Sequence, residues 1–169
     1  IRGYGERFPC PMFEAKPYTG KTAFEQWVEY EGVPMIRDFI VSDLNTVEVK
    51  PWDRLGAAGS WVVLGAPEDQ LSMGAYVCEI GPGKSSKPQK HLYEEIVYVL
   101  RGNGATTVWN EGQKPLTFEW KRGSLFSPPI NTWHQHFNGS GAEPVRYVAL
   151  TNVPAVFNMF HSYEFIMNN

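Results

Sequence analysis

Short apolar runs separated by turn residues dominate the chain from Met35 onward. The runs are rich in Val, Ile, Tyr, Phe and Trp, and clusters of Gly, Pro, Asn and Asp lie between them, which is typical of strands joined by turns. We predict strands at 35–41, 45–50, 60–65, 73–81, 89–100, 104–110, 115–121, 124–127, 133–138 and 145–152. Because strands do not alternate with helical patterns, the sequence predicts an all-β sandwich or barrel.

The first 33 residues have a different pattern, in which prolines and glycines are frequent. This pattern predicts an irregular N-terminal arm. Within the arm, residues 22–30 predict a short helix, because Thr22 would cap the first turn and Glu25 stands three residues later, as in a capping box. We therefore divide the chain into an arm, 1–33, and a barrel domain, 34–169.

Composition narrows the class of partner. The chain has 169 residues, enough for one domain with a sizeable core, and 43% of them are hydrophobic. A formal net charge of -3 without a long run of Lys or Arg argues against a nucleic-acid partner, and no apolar stretch is long enough to span a membrane. The two cysteines, Cys10 and Cys78, lack any metal or redox spacing, so we expect reduced thiols and a cytoplasmic location.

The predicted strand 89–100 has one face that changes character along its length. Side chains alternate between faces with a period of two. One face therefore carries Gln89, His91, Tyr93, Glu95, Val97 and Val99. A face that is polar at one end and apolar at the other suits the inside of a barrel with a ligand at its mouth and a packed base.

The opposite face of the same strand is apolar, and something must cover it. It carries Leu92, Ile96, Tyr98 and Leu100. A monomer would expose these side chains unless the arm covers them, so we expect a homodimer or a larger homo-oligomer. The aromatic residues of the arm, including Phe8 and Phe13, are candidates for part of the cover.

Two segments of the chain carry glycines and metal-binding residue types at fixed spacings. The first contains Gly83, Gln89, His91, Glu95 and Gly102, and the second contains Gly123, Pro129, His134 and Asn138. In this order and spacing they resemble the two motifs of the cupin superfamily. The chain departs from the family pattern twice, since Gln89 replaces a histidine and Asn131 replaces a glycine. The second change is mild because Asn also tolerates a left-handed backbone. The stretch 31–54 also resembles the lead into one half of two-cupin, dioxygenase-like proteins.

The resemblance implies an antiparallel jelly-roll barrel that holds one divalent metal ion. The ligands it implies are Gln89, His91, Glu95 and His134. Two imidazoles and one carboxylate with open coordination positions suit Fe(II), and the same set accepts Mn, Ni, Co or Zn. Gln89 offers only a neutral amide oxygen, so it either ligates the metal or forms a hydrogen bond with substrate or backbone.

Three residues are candidates for catalysis beside the metal. Glu95 either ligates the metal or acts as its base. Tyr93 shares the inward face and either contacts the substrate or packs in the core. His136 shares a face with His134, and we expect it to be a polar contact near the mouth rather than a ligand. The alternative for each histidine is a hydrogen-bonded core residue.

The combination favours a metal-dependent enzyme acting on a small molecule. Our first hypothesis is an Fe(II) dioxygenase with a small oxygen-bearing organic substrate. The second is an O2-independent isomerase, lyase or decarboxylase, and the third is a non-catalytic small-molecule binder. The inward strands show few Lys or Arg residues that would bind a phosphate, which argues against a sugar-phosphate isomerase.

Overall fold

The computed structural model describes residues 20–65 and 72–167, which form ten strands and three helices. In chain order these elements are α1 (Ala23–Glu31), β1 (Met35–Asp38), β2 (Lys50–Trp52), β3 (Ala57–Leu64), β4 (Gly74–Ile80), β5 (Glu95–Arg101), β6 (Asn103–Trp109), β7 (Leu116–Lys121), β8 (Leu125–Phe126), β9 (Trp133–Asn138), β10 (Val145–Thr151), α2 (Val153–Phe160) and α3 (Tyr163–Met167). The predicted residues Phe8, Cys10 and Phe13 lie outside the described ranges.

The strands form two sheets that face each other as a jelly-roll sandwich, so the predicted all-β fold is confirmed. The larger sheet has the order β1-β3-β4-β10-β5-β8, with β2 also paired to β3. The smaller sheet has the order β7-β6-β9. The pairing is antiparallel except that β1 runs parallel to β3, with Met35 opposite Trp61 and Asp38 opposite Leu64.

The predicted strand 89–100 is wrong in its first half, because β5 begins only at Glu95. Residues 89–94 form an irregular segment that touches β9 through an isolated bridge between Gln89 and His134. The backbone of the segment forms hydrogen bonds to other elements and not within a strand ladder. The Leu92 amide, for example, donates to the Ile166 carbonyl at 2.8 Å. The predicted alternation of faces nevertheless holds, and every second residue from Gln89 to Val99 is buried.

The predicted strand 45–50 is also misplaced, because residues 43–46 form a turn. The Asp43 carboxylate accepts a hydrogen bond from the Asn45 amide at 2.8 Å, and the Asp43 carbonyl accepts one from the Thr46 amide at 3.2 Å. Such an Asx turn competes with strand pairing. The strand β2 consequently begins at Lys50, where the prediction ended.

The short N-terminal helix is confirmed. Thr22 caps it in a capping box with Glu25, and Gly32 ends it in a left-handed conformation with φ of 68°. The Trp27 ring is fully buried and lies 5.6 Å from the Trp61 ring of β3. The boundary at residue 33 stays a prediction, although α1 contributes to the same apolar cluster as the barrel.

The two C-terminal helices were not predicted. Helix α2 packs on α1, since the Trp27 and Phe157 rings stack with centroids 4.3 Å apart and the Phe24 amide donates to the Asn158 side chain at 3.0 Å. Helix α3 follows and supports the irregular segment 89–94 through Ile166. Within the described part of the chain, none of the helices has the length and apolarity that crossing a membrane requires.

Candidate metal centre

The site lies between the two sheets. Glu95 is the first residue of β5 in the larger sheet, and His134 and His136 are alternate residues of β9 in the smaller one. His91 comes from the irregular segment, which is held against β9 because the Gln89 and His134 backbones exchange hydrogen bonds of 2.9 and 2.8 Å. The fold therefore brings four predicted site residues together from three places in the chain.

Two of the imidazoles have a defined orientation. The Nδ1 atom of His91 lies 3.0 Å from the Tyr93 carbonyl oxygen, and the Nδ1 atom of His134 lies 3.1 Å from the Thr132 carbonyl oxygen. A carbonyl only accepts hydrogen bonds, so Nδ1 must be the donor in each ring. The Nε2 atom of each neutral ring then carries a lone pair, as a metal ligand requires.

His136 is oriented through a hydroxyl group instead. Its Nδ1 atom lies 2.8 Å from Thr106 Oγ1, which also accepts a hydrogen bond from Trp120 Nε1 at 2.8 Å. A hydroxyl can donate or accept, so this contact fixes the ring position while leaving two tautomers open. The Nε2 atom of His136 is buried and has no hydrogen-bond partner among the described residues.

The carboxylate of Glu95 is buried, with its side chain 1% exposed. One carboxylate oxygen lies 3.7 Å from His91 Nε2. Ligand atoms of Glu95, His134 and His136 all lie within 4.8 Å of one another. Neither oxygen of Glu95 has a hydrogen bond of good geometry within the described residues, although the Tyr76 hydroxyl lies near enough to lower its pKa.

Burial dominates the protonation of the site. Desolvation raises the pKa of Glu95 from 4.5 to about 7, against the lowering effects of Tyr76 and Arg54. Desolvation lowers the pKa of His134 to about 4 and that of His136 to about 3, and it lowers the pKa of His91 as well. The three imidazoles are therefore neutral near pH 7, which is the form that binds a metal.

The residues fit a divalent cation. Nine buried side-chain atoms in the described parts of the chain lack hydrogen-bond partners, and five of them belong to this site, namely His91 Nε2, His134 Nε2, His136 Nε2 and both Glu95 oxygens. Leaving buried polar groups unpaired is costly, and a buried carboxylate needs a counter-charge. A single divalent metal ion would satisfy acceptors of this kind together. The group Glu95, His134 and His136 could thus hold a metal ion.

Gln89 is placed next to the centre with its amide oxygen already in use. The Oε1 atom of Gln89 accepts a hydrogen bond from Arg54 Nη1 at 3.0 Å. A carbonyl oxygen has two lone pairs, so this bond is compatible with a second partner. The role of Gln89 as a ligand stays a prediction, as do the catalytic roles of Tyr93, Glu95 and His136.

The remaining predicted contacts are close to the histidines. The Tyr93 ring stacks on the His91 ring, with centroids 3.6 Å apart, and its hydroxyl stays protonated because burial raises its pKa. The rings of Phe126 and Tyr147 lie 5.8 and 5.4 Å from the His136 ring. The wall around His136 is therefore largely aromatic.

Sequence reasoning missed two features of the site. It expected His136 to be a polar contact, whereas the structure groups its imidazole with Glu95 and His134. The shared inward register of His134 and His136 was the available signal. It also found few basic residues on the inward strands, but Arg54 reaches the interior from the turn between β2 and β3.

A family comparison agrees with this geometry. Residues 76–151 match the family model described as Cupin domain, and this stretch contains both sequence motifs. The match covers 76 of the 169 residues and agrees with the resemblance of the two motifs. Among curated proteins, the chain is similar to Auxin-binding protein 4 of Zea mays, with 22% identity over 121 residues. The match covers 69% of this chain but only 59% of that relative's length.

Solved structures show the same fold. Peruvianin-I, a cysteine peptidase from Thevetia peruviana latex, aligns with a TM-score of 0.55 at 19% identity over 68% of this chain and 71% of its own. The cupin domain of Schizosaccharomyces pombe Cnp3 aligns with a TM-score of 0.53 at 19% identity over 66% and 72%. Lactobacillus farciminis oxalate decarboxylase in a formate complex gives 0.51 at 20% identity over 64% and 32%. At such identities the likeness shows the fold alone.

Proposed function

We propose that this protein is a metal-dependent cupin enzyme and, more specifically, an Fe(II) dioxygenase for a small oxygen-bearing organic substrate. The observation that carries the proposal is the cluster of five buried ligand atoms without hydrogen-bond partners in the described chain. Two imidazoles with defined Nε2 lone pairs and one carboxylate form the donor set of many Fe(II) oxygenases. When bound, Fe(II) would supply the activation of O2 and substrate oxygens.

The protein side chains supply binding, orientation and exclusion of water. Val97 lies on the inward face of β5 and pairs with Phe126 of β8, which gives the site an apolar wall. Tyr93 keeps its proton, so its hydroxyl can donate a hydrogen bond to a substrate oxygen. This lining suits a partly apolar ligand such as a phenol, a diketone or a hydroxy acid.

An oxygen electrode tests the proposal. We expect Fe(II)-loaded protein to consume O2 with one or more members of a panel of phenols, diketones and hydroxy acids. The His134→Ala variant, loaded in the same way, should consume none, because it lacks one of the two oriented imidazoles. Turnover that is equal with and without O2 would refute the dioxygenase and favour an O2-independent isomerase, lyase or decarboxylase.

A second candidate function is binding without catalysis. The observation that favours it is the match to a relative whose name describes it as auxin-binding. In that case the metal-loaded protein would bind a member of the panel in equilibrium titration and return it chemically unchanged. Product analysis after prolonged incubation separates this outcome from slow turnover.

A further inference from the structure

Arg54 is a charged residue held inside the protein beside the metal centre. Its side chain is only 13% exposed, and its Nε atom bonds to the 5% exposed Glu31 carboxylate at 2.8 Å. Its guanidinium carbon lies 5.2 Å from the ring centre of Trp27 and 4.9 Å from that of Trp52. These contacts hold the guanidinium in one place. The Arg54 side chain therefore loses little conformational entropy when a ligand binds to it.

Gln89 links the guanidinium of Arg54 to the metal centre. Arg54 Nη1 donates to the Gln89 side chain, and the Gln89 backbone pairs with that of His134. The hydrogen bonds to Glu31 and Gln89 use two of the five N–H groups of the guanidinium, and the Tyr93 hydroxyl lies near enough to Arg54 for the guanidinium to act on its pKa. The charge also reaches the centre, since it acts to lower the pKa of His91, His134 and Glu95.

The charges of the described buried residues at the centre favour an anionic ligand. Glu31 offsets Arg54, and the ionised Glu95 offsets half of the charge of a divalent metal ion. One net positive charge is left in a desolvated interior, where a monoanion restores neutrality. A planar guanidinium with free N–H groups matches the two oxygens of a carboxylate.

We propose that Arg54 binds the anionic group of the substrate and that the substrate is a small monocarboxylate. The inference deepens the proposed function, because it rests on a metal ion held by Glu95 and the histidines. Glu31 is the residue that sets the strength of this anchor, since its carboxylate competes with the ligand for the same guanidinium. A purely structural role would make Glu31 and Arg54 equal partners in holding α1 against the turn.

Binding of glycolate and its neutral amide, glycolamide, tests the proposal. The titrations use protein loaded with Zn(II), which has no redox chemistry, so binding is measured without turnover. Glycolate should bind at least about tenfold more tightly than glycolamide, a factor expected for a charge-assisted hydrogen bond. Arg54→Gln should remove this preference while the zinc content stays the same.

The Glu31→Gln variant gives the decisive contrast. Its amide oxygen can still accept from Arg54 and Trp52, so the contacts of α1 are preserved, but the guanidinium loses its counter-charge. Glycolate should then bind a few-fold more tightly than to the parent protein. The double variant Glu31→Gln/Arg54→Gln buries no unpaired charge and should bind glycolate and glycolamide alike.

Two results would overturn the inference. The first is equal affinity of the parent protein for glycolate and glycolamide. The second is a loss of glycolate affinity in both single variants, which is the result that a structural brace predicts. Neither result tests the proposal of a dioxygenase. That proposal is refuted separately if O2 consumption is absent with every substrate, including neutral ones.

Discussion

Replacing Glu95 by Gln should stabilise the metal-free protein while abolishing its response to metal. Glu95 is buried without a hydrogen bond of good geometry from the described residues, so its ionised form is expensive in the absence of a cation. Glutamine has nearly the same shape but no charge. The substitution therefore removes the cost of the charge and, with it, the carboxylate ligand.

The pKa of Glu95 sets the size of the expected difference in the free energy of unfolding between the two proteins. Each tenfold change in proton affinity is worth about 1.4 kcal/mol. A pKa raised from 4.5 to about 7 therefore corresponds to about 3 kcal/mol. Because the folded protein holds this proton more tightly than the unfolded chain, the contribution to stability is present below pH 4.5 and is lost as the pH rises through 7. At pH 8, metal-free Glu95→Gln should exceed the parent by up to about 3 kcal/mol, less the cost of burying the amide.

Urea unfolding of chelator-treated proteins at pH 5 and pH 8 measures this difference. The advantage of Glu95→Gln over the parent should grow between the two pH values, whereas Glu94→Gln, a change at the exposed neighbouring residue, should show no such trend. Added divalent metal should raise the stability of the parent and of Glu94→Gln alone. An advantage that is absent at pH 8, or independent of pH, would refute the reasoning.

Three further predictions concern the ligands and the assembly. His91→Ala and His134→Ala should each lose the metal and keep the circular dichroism of the parent; full occupancy by elemental analysis would contradict their assignment. Gln89→His should tighten metal binding in competition titrations, because imidazole donates more strongly than an amide; unchanged affinity and activity would mean that Gln89 is not a ligand. Ile96 and Leu150 are opposite each other on the outer face of the larger sheet, each 46% exposed. Light scattering should therefore show a homodimer that Ile96→Asp disrupts, and a monomeric parent at micromolar concentration would exclude it.

The alternation of inward and outward residues was the most reliable guide to the site. It predicted the burial of His91, Glu95 and Val99 even though the strand begins only at Glu95, because packing against β9 continues the two-residue period beyond the ladder. The inference that Asn131 tolerates the left-handed backbone of the motif glycine is also confirmed. Asn131 adopts the left-handed conformation with φ of 55°.

Other features depend on contacts that no local pattern encodes. Arg54 is held in the interior by hydrogen bonds to Glu31 and Gln89. These partners lie 23 and 35 residues away in the chain, so no local pattern around Arg54 predicts its position. Helix α2 begins just after β10, where a short apolar run containing Pro154 does not distinguish helix from strand by periodicity. The grouping of His136 with Glu95 requires the distance between two sheets, which the sequence of either strand does not contain.

The irregular segment 89–94 makes the predicted ligand His91 less firmly anchored than Glu95 and His134. Glu95 and His134 belong to strand ladders, whereas the backbone at His91 is held by single hydrogen bonds from Asn131 and, through Leu92, to Ile166. Segments outside ladders open at lower free energy than core strands. The Leu92 amide should accordingly exchange its hydrogen sooner than the amides of β5, and release of the ion would begin with the loss of His91.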